Sequence, residues 1–170
     1  MKIARRQLRK LINEMSGENI VSREFYTEKQ FGRFRPVSNE GNVHMKPKGL
    51  WYSCNESWKE WVTFDMPQWW ESYNFKYDIR VNLNSMLVIR TMEELLAFEQ
   101  KYSAVNSPFG PGFKVIDWGA VANDYAGIEI CPYHYDARFS SDWYYGWDVA
   151  SGCIWDSSAL VTVSEVYPFR

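Results

Sequence analysis

Residues 75–84 read FKYDIRVNLN, and their alternation runs without a slip. Phe75, Tyr77, Ile79, Val81 and Leu83 fall on one side, with Lys76, Asp78, Arg80, Asn82 and Asn84 on the other. That period of two is what a half-buried strand requires. MLVI at 86–89 follows as a second, more buried strand. Thr91 and Glu94 then stand at capping-box spacing, opening a helix that runs to about Tyr102 with Leu95, Leu96 and Phe98 turned inward.

The same signals extend in both directions. GLWYS at 49–53 reads as a buried strand with a glycine entry. Ser57 and Glu60 form a second capping box, opening a short helix that carries Trp58 and Trp61, and Pro67 closes it. Residues 23–34, REFYTEKQFGRF, are strand-like but irregular, and a polar loop runs through Glu40 and Gly41 to Lys48. On the C-terminal side, NSPFGPG at 106–112 is a loop by its proline and glycine content. Asp117 can cap a short helix through Tyr125, and GIEIC at 127–131 and ALVTVSEV at 159–166 read as strands. At the start, residues 2–15 place Leu8, Leu11, Ile12 and Met15 on one helical face, with Arg5, Arg6, Arg9 and Lys10 largely on others. This leader reads either as a docking helix with a solvated basic face or as a basic arm for nucleic acid or a partner. The expected organisation is a basic amphipathic helix over residues 1–16 and a single α+β domain over residues 20–170.

Composition narrows the function classes. At 170 residues the chain is long enough for one well-formed core. A net charge of −2 argues against binding nucleic acid or acidic membranes through overall charge. Aromatic residues make up 18%, with nine Trp and eleven Tyr, more than packing alone usually needs. No apolar run approaches a membrane span, and the basic N-terminus lacks the apolar stretch of a signal peptide. Cys54, Cys131 and Cys153 are odd in number and widely spaced, which predicts three reduced thiols in a reducing compartment and a cytoplasmic protein. Only two histidines accompany them, so no metal site is expected.

Local catalytic signatures are missing: there is no G-x-S-x-G elbow, P-loop, dinucleotide glycine fingerprint, H-E-x-x-H or zinc-deaminase pair. What remains is an order of pieces. GLWYS with a capped helix behind it, YDIRVNLNSMLVI with the 91–102 helix, DYAGIEI, and the closing SGCIWDSSALVTVSEV together resemble the ADP-ribosyltransferase fold, in its small toxin and phage-effector branches. The leader over the first fifteen residues is similar to openings of phage-encoded proteins, which would put the protein in the host cytoplasm. The resemblance implies a split, strongly twisted, mostly antiparallel sheet with short helices. It also implies cleavage of NAD at the nicotinamide–ribose bond and transfer of ADP-ribose to a macromolecular acceptor, protein or nucleic acid.

Such cleavage passes through an oxocarbenium-like state. It needs an aromatic wall for nicotinamide and a carboxylate facing the developing cation. The resemblance assigns the wall to Trp51 or Tyr52 and a ribose contact to Ser53. Asp148, and after it Glu129, would face the cation. Arg23, Lys46, Lys48 or His44 would meet the pyrophosphate. Two departures stand out. The first strand offers Arg23, Tyr26 and Thr27 without a plain match to the family's cofactor-binding residue. Ala150 and Ser151 occupy the place where the family puts its closing glutamate. A reading from another class is a non-catalytic binding or inhibitor module, including a degenerate transferase fold. It would use the aromatic loop with Tyr133, Tyr135, Trp143, Tyr144, Tyr145 and Trp147 as its surface.

Overall fold

The computed structural model describes residues 19–169, so the basic N-terminal helix expected over residues 2–15 lies outside the described residues. The rest is an α+β domain built on a large, mostly antiparallel sheet. Its seven strands are β1 (Ile20–Thr27), β3 (Leu50–Ser53), β4 (Phe75–Asn82), β5 (Leu87–Ile89), β7 (Gly127–Ile130), β8 (Ser151–Ile154) and β9 (Leu160–Val166), in the order β5-β7-β8-β3-β1-β4-β9. A small ribbon pairs β2 (Val43–His44) with β6 (Ile116–Asp117). Among the sheet pairings, β5 with β7 is parallel and the others are antiparallel.

The strand at 75–82 behaves as its alternation predicts. Tyr77, Ile79 and Val81 are buried while Asp78 and Arg80 are exposed. It pairs with β1 over that strand's full length. The join between β1 and β3 is far narrower, a single registered pair, Glu24 opposite Ser53. Beyond that seam the two strands are free to diverge, and a cleft opens there.

Four α-helices are present among the described residues: α1 (Ser57–Asp65), α2 (Pro67–Ser72), α3 (Met92–Tyr102) and α4 (Trp118–Asp124). Two begin as the sequence predicts. Thr91 and Glu94 form a complete capping box, and Asp117 caps α4 by accepting from the Ala120 amide at 3.0 Å. The box expected at Ser57 and Glu60 does not form. Glu56 is the capping residue without a side-chain cap bond, because the Ser57 hydroxyl donates across the fold to the Ala150 carbonyl at 2.7 Å. Pro67 does not simply end a helix either. It opens α2, where its missing N–H is no loss.

Core packs on both faces of the sheet. One cluster gathers Ile89, Leu95, Phe98, Trp118, Ile128, Ile130, Trp143 and Trp147 beneath α3 and α4. The other gathers Phe25, Tyr52, Tyr77, Ile79, Val81 and Ile154. The loop expected to be an aromatic surface lies largely inside: Trp143, Tyr144 and Trp147 are buried, and of that set only Tyr135 and Tyr145 are well exposed. Burial of indole rings is the larger gain, and the loop winds as two turns of tight helix, at Tyr135–Phe139 and Asp142–Gly146, to achieve it.

The expectation of three reduced thiols is corrected as well. Cys54 and Cys131 form a disulfide, their Cα atoms 6.5 Å apart, and only Cys153 is free. The ends of β3 and β7 flank the start of β8, which brings together two cysteines 77 residues apart. No helix among the described residues is long and apolar enough to cross a membrane.

Candidate active site

A cleft of about 260 Å³ sits at the seam between β1 and β3. Residues 24–26 and 51–53 all border it, and alternation sorts their side chains. On β1, Glu24 and Tyr26 share one face, and on β3, Trp51 and Ser53 do the same. All four border the cleft. The turn before β8 supplies Trp147, Asp148 and Val149, β8 itself supplies Ser151, and Trp58 of α1 and Tyr73 beyond α2 close the far side. Lys46 reaches in from the loop after β2.

One wall is Trp51 against Trp147, edge to face with centroids 4.9 Å apart. Lys46 lies over the Trp51 ring at 5.3 Å, and its ammonium stands 3.9 Å from Asp148. Burial lowers the Lys46 pKa, with the Asp148 carboxylate pulling the other way. Asp148 also faces Arg138 at 3.6 Å and keeps about a quarter of its side chain accessible. Both ion pairs are loose, so this carboxylate has lone pairs available to a ligand.

The opposite wall holds a carboxylate that the sequence reading passed over. Glu24 is nearly buried, accepts from the Tyr26 hydroxyl at 2.9 Å and pairs with Lys76 at 2.6 Å. Burial and the neighbouring Glu24 charge push the Tyr26 phenol far above its ordinary value, so it stays a donor. The signal was present in REFYT: Glu24 and Tyr26 stand two apart, on one face of a strand.

The remaining candidates divide. Tyr52 borders the cleft, but its ring lies over Gly152 on the sheet's other face, and its hydroxyl donates to Glu129 at 2.8 Å. Glu129 is 2% exposed. Arg23 grips it through two bonds, 2.9 Å from Nε and 2.7 Å from the Nη2 nitrogen. Arg23 and Glu129 are thus engaged with each other away from the cleft. Ser53 donates to the Glu24 carbonyl at 3.2 Å and approaches that of Asn55 at 3.4 Å, bonds that hold the seam. Thr27 closes a local turn with Lys29. His44 packs on Phe109, and its carbonyl accepts from the Trp118 indole. Lys48 is exposed, and neither it nor His44 borders the cleft.

Cys54, Glu129 and Cys131 lie close enough to one another to suggest a metal site. The disulfide and the Arg23 guanidinium remove the anionic donors such a site would need. A second, wider hollow is lined by residues 36–41 and by α4, and among the described residues no cation borders it. Comparison of the chain with protein families, with curated proteins and with solved structures finds no match.

Proposed function

We propose that the chain cleaves the nicotinamide–ribose bond of NAD in this cleft and passes ADP-ribose to a macromolecular acceptor. The observation that carries the reading is the convergence of Trp51, Lys46, Asp148 and Glu24 on one half-open cleft. A planar cationic ring suits an indole face flanked by two carboxylates. At about 260 Å³ the cleft is small for a whole dinucleotide, since pockets for drug-sized ligands start near roughly 300 Å³. It suits nicotinamide and its ribose, with the adenosine end running out over the rim.

Lys46 swings off the Trp51 ring to meet the pyrophosphate, and Trp51 then stacks on nicotinamide. Asp148 faces the ribose carbon as positive charge develops there, and Glu24, held by Tyr26 and Lys76, accepts from ribose hydroxyls. The carbon–nitrogen bond breaks with its electron pair going to nicotinamide. The acceptor's nucleophile then bonds to the ribose carbon and its proton is released to water. Glu129 has no part in this chemistry; it anchors the sheet.

Release of free nicotinamide tests the reading. Asp148→Asn should lower turnover at least about 100-fold, on the scale of losing one preorganised electrostatic contact, with the unfolding midpoint nearly unchanged. Undiminished turnover in both Asp148→Asn and Glu24→Gln would sink it. A second reading, a non-catalytic binding module, is favoured by a different surface from the aromatic loop. Phe64 and Trp69 of the α1–α2 hairpin are exposed, and a protein that only binds would ignore NAD.

A further inference from the structure

The α1–α2 hairpin is unusual for what it leaves uncovered. Residues 57–72 carry Trp58, Trp61, Phe64 and Trp69, yet Val62 is the only buried residue of α1 and α2 has none; Trp70 packs instead on Tyr26 and Phe169. Trp58, Trp61 and Trp69 form a triangle with centroids 5.1, 6.3 and 6.5 Å apart. Beside them Phe64 is 86% exposed and Trp69 45%. An apolar platform of this kind marks a contact surface. It is continuous with the cleft, because Trp58 lines both and donates its indole N–H to Tyr73 on the cleft wall at 3.3 Å.

Charge says what it fits. Glu56, Glu60, Asp65 and Glu71 rim the hairpin, and Glu28 stands at its foot, bonded to Ser72. The one basic residue on the hairpin, Lys59, is paired with Glu56 at 2.7 Å. Among the described residues Glu60, Asp65 and Glu71 make no ion pair. An exposed Trp69 beside the half-buried Trp58 and Trp61, ringed by carboxylates, attracts guanidinium and ammonium groups and repels a phosphate backbone.

We infer that the α1–α2 hairpin docks a basic protein, and that this protein is the acceptor rather than a nucleic acid. Its identity as acceptor rests on the transferase reading; the docking surface does not.

Each Trp gives one indole N–H resonance, so the intact protein carries its own reporters. The probes are a twelve-residue peptide with six arginines and two leucines, its counterpart with glutamate at the arginine positions, and a single-stranded dodecanucleotide. The arginine peptide should shift the signals of Trp58, Trp61 and Trp69 and leave those of Trp118, Trp143 and Trp155 in place. Glu60→Gln with Asp65→Asn and Glu71→Gln should weaken binding about tenfold, and so should Trp69→Ala, which removes the ring but keeps the charge. Shifts with the oligonucleotide and none with the arginine peptide would overturn the inference. Equal binding after Trp69→Ala would overturn it too, by reducing the effect to diffuse charge. Movement of these three signals in peptide-free protein when Arg5, Arg6 and Arg9 are changed to Gln would also do so, since the chain's own N-terminus would then be the occupant. Peptide binding without release of nicotinamide would leave the surface standing and remove the transferase reading. Release of nicotinamide without peptide binding would do the reverse.

Discussion

Replacing Glu129 by Gln separates a structural carboxylate from a catalytic one. The side chain is 2% exposed and holds both Arg23 bonds and the Tyr52 hydroxyl. Glutamine preserves the shape but leaves the Arg23 guanidinium without its counter-charge in a nearly closed site. Breaking one partner of a buried pair costs about 3–5 kcal/mol. In a chain of 170 residues that lowers the unfolding midpoint by about 6–20 °C. Urea unfolding followed by circular dichroism measures the loss. At a temperature where the variant is folded, release of nicotinamide should stay within about twofold of the parent. Pairing Glu129→Gln with Arg23→Met should recover part of the stability, because no unpaired charge remains. A loss under about 1 kcal/mol together with abolished turnover would refute the reasoning and return Glu129 to the chemistry.

Other expectations are as direct. Gly152→Ala places a methyl group against the Tyr52 ring and the Ile128 carbonyl; overpacking of this kind costs about 1–3 kcal/mol, read as a shifted urea midpoint. Reducing the Cys54–Cys131 disulfide, or changing Cys131 to Ser, opens a loop of 77 residues and should cost about 4 kcal/mol if chain entropy dominates. An unchanged midpoint in dithiothreitol would oppose that. Burial lowers the pKa of His134, so the unfolded chain takes up a proton first as pH falls below about 6.5. Stability from this group is present above that value and lost as pH falls through the depressed folded value. His134→Gln should flatten the melting midpoint between pH 7.5 and 5.

Local signals were readable wherever local physics decides the outcome. The alternation of β4, the Thr91–Glu94 box and the Asp117 cap each involve residues within a few positions of one another, and each forms. Ser57 satisfies the same capping rule but bonds the Ala150 carbonyl 93 residues away, and nothing near Ser57 announces that partner. The same limit hides the grip of Arg23 on Glu129. Its face, opposite Ile128 and Ile130, follows from alternation, while its partner 106 positions upstream does not. Trp51 and Tyr52 could have been told apart, since neighbours on a strand face opposite ways. Both border the cleft, but the Tyr52 hydroxyl turns away from it to Glu129. In the aromatic loop, composition alone could not distinguish a display of rings from a core, because the same side chains serve both.

The cleft's walls come from distant parts of the chain. Glu24, Tyr26, Trp51 and Trp58 lie in its first half, but Trp147 and Asp148 lie near its end, and β3 finds its full-length partner only in β8. Pairings so remote in sequence are slow to close. A chain emerging from the ribosome therefore exposes Trp51 and Tyr52 until residues 147–154 arrive. The cleft is completed only once residues 147–154 have been made, and any activity it supports begins only then. Shortening the chain before Trp147 removes Trp147, Asp148 and the partner strand of β3 in a single stroke.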